Sequence, residues 1–277
     1  MSDTAFQEKF RQETIAGFEK RQSLARRTVV TEADINGNTA TFLVADSGGA
    51  TAVTRGVDGD IPTRPDNLNQ YTATLQEWHD IPERTKFNIY TSQGKGREIM
   101  QQTCMSVINR KIDSDIHTIL ETGTVTWGAA AVVTLPLVIT AKTKLANAFA
   151  DTDAEVFALI SPAFYGYMIQ FPTFSSADYV DEKRFGGKIS KSKAFDWFGV
   201  TWIVDAGLSG VGGASAQCYM YSQNAVGHAC DTVNLDTEVG YDGKNQKSWA
   251  RCSTFMGSAL LQNAGIVKMP HIDTAYS

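Results

Sequence analysis

Cysteine is scarce in this 277-residue chain: Cys104, Cys218, Cys230 and Cys252 stand 114, 12 and 22 positions apart. That spacing fits no zinc ribbon, zinc finger or C-x-x-C pair, so free buried thiols in a reducing compartment are expected. Long apolar runs are also absent, and no segment approaches the roughly 18 residues that a membrane-spanning helix needs. The most apolar patch, Gly128 to Ile139, is short and contains Pro136. Met1 to Lys20 mixes Asp, Glu, Lys, Arg and Gln around no apolar centre, unlike a secretory signal. No membrane partner is expected. With 25 Lys and Arg against 30 Asp and Glu, the formal charge is -5. That balance argues against a dedicated nucleic-acid-binding domain and leaves room for DNA along one face.

The motifs of catalysis are missing too. Gly94-Lys95-Gly96 lacks the preceding strand and the hydroxyl residue of a phosphate-cradling loop. No G-x-S-x-G elbow or H-E-x-x-H helix occurs. Asp113 and Asp115 are two apart on a predicted helix and point to different sides, so they form no dyad. Of the four histidines, His79 falls on a predicted strand, His117 on the polar side of a helix, and His228 close to Cys230. This His-x-Cys pair is the one conceivable metal fragment, and with no partner cluster packing is the simpler role. Trp78, Trp127, Trp197, Trp202 and Trp249 are scattered as core or interface anchors are. No enzymatic activity, catalytic residue, cofactor or metal is expected.

What the chain does have is 43% hydrophobic and 20% charged residues, enough for a sizeable core in one large domain or two modest ones. Thr28 to Arg64 departs from that average, with seven Thr, five Gly and only nine large apolar residues. Extended backbone gains stability by pressing an apolar face against something. This stretch is too thin for a core of its own and is expected to lie on another molecule. Asn36-Gly37 suits a tight turn between Val29, Val30, Ile35 and Phe42, Leu43, Val44. Turn signals follow at Asp46-Ser47-Gly48-Gly49 and Asp58-Gly59-Asp60-Ile61-Pro62, and the alternation of Tyr71, Ala73 and Leu75 marks a returning strand. The sum is a projecting two-stranded arm.

Before the arm, residues 1–27 read as a broken amphipathic helix, with Phe6 and Phe10 on one face and Gly17 interrupting. Lys9, Arg11, Lys20, Arg21, Arg26 and Arg27 outnumber four acidic residues there, and a solvated helix face is the plain reading. After the arm, Met100, Cys104, Ile108, Ile112, Ile116 and Leu120 recur every four residues and predict a helix from Gly96 to Glu121. At about 1.5 Å per residue it is a rod of about 39 Å, ended by Gly123 in a C′-like position. An α/β region follows: a helix over Val138 to Ala150, a buried strand over Val156 to Ile160, and a helix over Pro162 to Ile169 capped by Ser161. Asp178 to Lys193 reads as a charged surface loop, Phe195 to Val204 and Gln217 to Tyr221 as strands, and Asn224 to Cys230 as a short helix. Ser248 to Met256 and Ala259 to Met269 supply two final strands.

This order of elements resembles the major capsid proteins of tailed bacteriophages, which share the Hong Kong 97 fold. Local words are similar as well: Phe42-Leu43-Val44-Ala45, Gly48-Gly49-Ala50, Val53-Thr54-Arg55-Gly56, Leu75-Gln76-Glu77-Trp78-His79-Asp80, Ile108-Asn109-Arg110-Lys111-Ile112-Asp113, Phe174-Ser175-Ser176-Ala177-Asp178-Tyr179-Val180 and Ser248-Trp249-Ala250-Arg251-Cys252-Ser253-Thr254. Nearly the whole chain is covered, and the specificity comes from number and order. The resemblance implies an α+β fold divided into an N-arm (1–27), an extended E-loop hairpin with its base strands (28–85), a peripheral domain with a spine helix (86–130), an axial domain (131–239) and returning peripheral strands (240–277).

The function implied is structural. Many copies form pentamers and hexamers that close into an icosahedral head around double-stranded DNA, assembled in the host bacterial cytoplasm and ending in the virion. Portal, separate scaffold and cement proteins are the implied partners. The E-loop would lie across a neighbouring subunit, with Phe42, Val53, Arg55, Ile61 and Arg64 as contacts, while Arg21, Arg26 and Arg27 of the N-arm would face DNA. An encapsulin-like cellular compartment is the alternative on the same fold. Some relatives cross-link through an E-loop lysine; no lysine stands between Lys20 and Lys86, so none is expected here. Only 27 residues precede the arm, so scaffolding is expected from another protein.

Overall fold

A computed structural model describes residues 22–31, 34–56, 59–64, 67–91, 96–152, 154–175, 194–230 and 236–274. Residues 1–21 of the expected N-terminal helix and the whole expected charged loop, 178–193, lie outside the described residues, as do Val57 and Asp58; over the described remainder of that helix the chain forms only a 3-10 turn at Arg26–Thr28.

The fourfold apolar repeat becomes α2 (Gly96–Glu121). Met100, Cys104, Ile108, Ile112, Ile116 and Leu120 are each at most 3% exposed. This stripe lies on a five-stranded antiparallel sheet centred on β12 (Lys247–Leu260). One edge of β12 pairs with β11 (Asp236–Asp242) and then β10 (Val226–Cys230). The other edge pairs with β5 (Glu83–Thr85) and β4 (Gln76–Asp80), and α1 (Lys86–Thr91) follows β5. At the rim of the helix, Lys111 Nζ sits 3.8 Å from the ring centroid of Trp78, a cation–π contact.

A second five-stranded sheet has the order β13-β9-β6-β8-β7, with β6 (Val156–Ile160), β7 (Ala194–Trp197), β8 (Val200–Val204), β9 (Ala216–Ser222) and β13 (Ile266–His271). All five residues of β6 are buried, as a continuous apolar run between two neighbours requires. α3 (Leu135–Asn147) lies on β9 and β13. α4 (Pro162–Ile169) starts where Ser161 Oγ accepts from Phe164 N at 3.1 Å, and the short α5 (Pro172–Ser175) follows. Phe164 carries α4 into the core, 5.9 Å from Trp127 and 6.1 Å from Trp202 between ring centroids. A third, three-stranded sheet is the arm: β1 (Asp34–Asn36), β2 (Thr39–Asp46) and β3 (Asn67–Thr74).

Several expectations need correction. Asn224 to Cys230 is not a helix: a single 3-10 turn at Gln223–Ala225 leads into β10, whose apolar run is settled as a strand by the open edge of β12. The two final strands are present with other bounds: β12 runs on through Gly257 to Leu260, and β13 spans Ile266–His271, not Ala259 to Met269. β13 also joins the second sheet through β9, whereas β10, within the expected axial segment, joins the helix-backed sheet. Val29 and Val30 form no hairpin strand; Val30 makes a parallel bridge to Gly227. α3 starts at Leu135, before Val138, because Pro136 fits the first turn. Gly123 is not left-handed; it is crowded, and an added Cβ would meet Ile266 Cγ2 at 3.0 Å. His117, expected on the polar side, is 9% exposed with Nε2 3.4 Å from Asp205 Oδ2.

Candidate assembly surface

The arm is a ribbon in which β2 and β3 pair over their full length, from Thr39↔Thr74 to Asp46↔Asn67. β1 adds a short third strand through a turn with Gly37 at φ 63°. Side chains alternate across the ribbon, so Ala40, Phe42 and Ala73 share a face. That face is buried against Ala229, Ala259 and Leu261, forming a small second core at the root. Gly227 exists as glycine for this contact, because an added Cβ would stand 2.7 Å from the Phe42 ring.

Further out the support ends. Leu43 and Leu68 are 60% and 57% exposed, and Val53 and Ile61 reach 61% and 66%. The described tip residues, 47–56 and 59–64, form no helix or strand. Polar contacts close the neck: Asp46 Oδ1 accepts from Gly48 N at 2.7 Å and from Asn67 Nδ2, and Arg64 Nη1 donates to Ser47 O at 2.9 Å. Gly56 N donates to Asp60 O at 2.9 Å across the far turn.

The five expected arm contacts therefore separate. Phe42 is corrected: at 3% exposure it is spent inside its own chain. Arg64 is exposed while bonding within the arm, and Val53, Arg55 and Ile61 are exposed. The premise that the stretch has no core holds for the tip and fails for the root.

The segment before the arm is fixed by a residue considered in the sequence only as half of a rejected dyad. Asp113, 2% exposed on α2, accepts from Ser23 Oγ, from Leu24 N at 3.2 Å and from Ala25 N at 3.1 Å. Thr28 Oγ1 donates to Ala25 O at 2.7 Å and also contacts Tyr221 OH. Arg26 is thereby held half-buried and Arg27 exposed, adjacent on anchored backbone. Arg21 lies outside the described residues. No local signal marks Asp113, since its partners stand about 90 positions away. Gly227 did carry one, as an isolated glycine within an apolar run marks close approach.

A buried Ser161–His271–Asp273 trio has the residue types of a nucleophilic site and a different wiring. Ser161 Oγ donates to Asp273 Oδ1 at 2.7 Å, while His271 Nε2 lies 2.7 Å from the same oxygen. All three are at most 1% exposed, and burial pushes His271 below its usual pKa. The trio ties α4 to the end of β13. The four cysteines are free thiols, and among the described residues no three or more metal-ligating side chains cluster.

The profile of the phage capsid protein family matches residues 2–273, and the chain belongs to that family. Its members and structural neighbours are structural proteins of the virion capsid, not enzymes. Solved structures sharing the fold include that of Mycobacterium phage Che8, at 13% identity over 97% of this chain and 98% of that one, with a TM-score of 0.75. The capsid of cyanophage P-SCSP1u matches at 12% identity over 97% and 94%, with a TM-score of 0.70. The capsid of Ralstonia phage GP4 matches at 10% over 98% and 96%, with a TM-score of 0.68. At such identities the likeness establishes the fold, that of the Hong Kong 97-like capsids. No curated relative matches the sequence.

Proposed function

We propose that this chain is a major capsid protein whose copies form pentamers and hexamers and close into an icosahedral head around double-stranded DNA. In this reading α2 is the spine helix, and the arm is the E-loop that lies across a neighbouring copy. The observation that carries it is the arm's division into a self-supported root and an apolar, unsupported tip. Burying an aliphatic side chain of this size is worth about 1.5–3 kcal/mol, and Leu43, Val53, Ile61 and Leu68 all remain to be covered. One surface donates and a different one receives, so the contact is heterologous and rotation closes rings. Many modest contacts then add through multivalency. Assembly would take place in the host cytoplasm, with portal, scaffold and cement proteins as partners.

The test replaces residues 47–66 by Asn-Gly, joining Asp46 to Asn67 through a two-residue turn. Electron microscopy of the overexpressed protein should show closed shells for the natural chain. The replaced chain should yield a folded monomer or small oligomer with unchanged thermal unfolding. Normal shells without the tip would overturn the reading.

A further inference from the structure

A cleft of about 590 Å³ opens beside the anchored N-terminal segment, lined in part by Arg26, Arg27, Thr31, Gln223, His228 and Cys230. Among the described residues the lining offers two guanidinium groups, a hydroxyl and an amide, and no carboxylate. Among the described residues, neither arginine has an acidic partner. Their backbone is not a free tail: Val30 N donates to Val226 O at 3.0 Å and His228 N to Val30 O at 2.8 Å. Two cations held on anchored backbone with no counter-charge among the described residues are preorganised for an anion.

His228 supplies the second observation. Ser258 Oγ gives its one hydrogen to Asp115 Oδ2 at 2.8 Å, so it accepts from His228 Nδ1, also at 2.8 Å. The neutral ring then carries its lone pair on Nε2, a buried nitrogen without a hydrogen-bond partner among the described residues. Ser258 does not line the cleft and His228 does, and Nε2 is the ring nitrogen not engaged by Ser258. A lone pair repels an anion, so an anion settles there only when Nε2 gains a proton. The charges around the ring are arranged for that event. Asp113 and Asp115 on α2 favour the imidazolium, and Arg26 opposes it until an anion neutralises it. From the neighbouring strand the ring meets Ser258, and Cys230 of its own strand lines the same cleft.

We propose that this cleft binds a phosphate group of a nucleic-acid backbone through Arg26 and Arg27, with His228 taking a proton from solvent as the anion enters. Nucleic acid as the source, over free phosphate, rests on the capsid reading; the anion site itself does not. The test is fluorescence anisotropy of the full chain with a labelled duplex of about 20 base pairs, across a salt series, at about pH 7.5 and about pH 5.5. Inorganic phosphate at matched ionic strength serves as competitor. The duplex should bind, and R26Q/R27Q should weaken binding about tenfold or more while lowering the log–log salt slope by about 0.9, the value for one lost phosphate contact. Acidification should tighten binding by about threefold or more in the natural chain and leave H228Q unchanged. S258A, which cuts the link to Asp115, should blunt the same rise and serves if H228Q does not fold.

An unchanged slope in R26Q/R27Q, or an H228Q protein that keeps the acid rise, overturns the proposal. So does the absence of any duplex binding, or loss of shells in R26Q/R27Q with duplex binding intact, which would assign the cleft to a neighbouring copy. Shell formation is scored separately by microscopy. Shells without duplex binding sink the cleft and leave the capsid reading standing; duplex binding without shells does the reverse.

Discussion

The root and the tip of one arm are drawn from the same mixture of Thr, Gly, Ala and aliphatic residues, yet the chain treats them in opposite ways. At the root, Ala40, Phe42 and Ala73 are at most 3% exposed against Ala229, Ala259 and Leu261. At the tip, Val53 and Ile61 are more than 60% exposed, and the backbone is held by a few polar contacts. Composition therefore does not decide where an extended segment finds its partner; reach from the body does. The difference predicts that root substitutions act on folding and tip substitutions on assembly.

The largest effect should come from Phe42→Ala, which empties the root core at the face of Gly227. Loss of a buried aromatic costs about 3–5 kcal/mol, measurable as a lowered denaturation midpoint of the unassembled chain. A loss below about 1 kcal/mol would mean that the root is no more self-supported than the tip.

Acid should weaken the root next. His228 lies between Gly227 and Ala229 on β10, and burial lowers its pKa from an ordinary 6.5 to about 4, Asp115 and Arg26 being lesser influences. Between those values the unfolded chain binds a proton that the folded chain refuses, so stability falls as pH falls from about 6.5 to about 4, by up to about 3 kcal/mol. Chemical denaturation of the natural chain and of H228Q across that window should show a shallower decline in the variant. Parallel declines would remove His228 as the cause.

Asp113→Asn should cost about 1–3 kcal/mol, since an amide replaces an acceptor that satisfies three donors. Limited proteolysis should then cut the segment around Ala25 faster, and an unchanged cleavage rate would contradict its anchoring role. The smallest effect concerns the lysine-free tip: particles boiled in denaturant with reductant should run as single chains near 30.2 kDa on a gel. A ladder of multimers would show that copies are joined covalently and not by contact alone.

Legibility in the sequence followed the range of the interactions. α2 was readable to the residue because its stripe repeats every four positions and its partner need only be some apolar face. β6 and the Ser161 cap were equally local. β10 was misread because a five-residue apolar run fits helix or strand until a pairing edge is known, and β11 was missed because its polar sequence is ordered only by pairing with β12. At the candidate site, Val53, Arg55 and Ile61 are exposed, which the proposed contact role requires. Phe42 was misplaced because its partners, Gly227 and Leu261, lie more than 180 positions away.

Hydrogen exchange, compared peptide by peptide between assembled shells and unassembled chains, tests the division most directly. Amides of residues 50–56 and 59–64 should exchange quickly in the unassembled chain and become protected in shells, while β2 and β3 near Ala40 and Ala73 stay protected in both. Tip amides that exchange equally fast in shells and in free chains would contradict the claim that the arm's uncovered end rests on another copy.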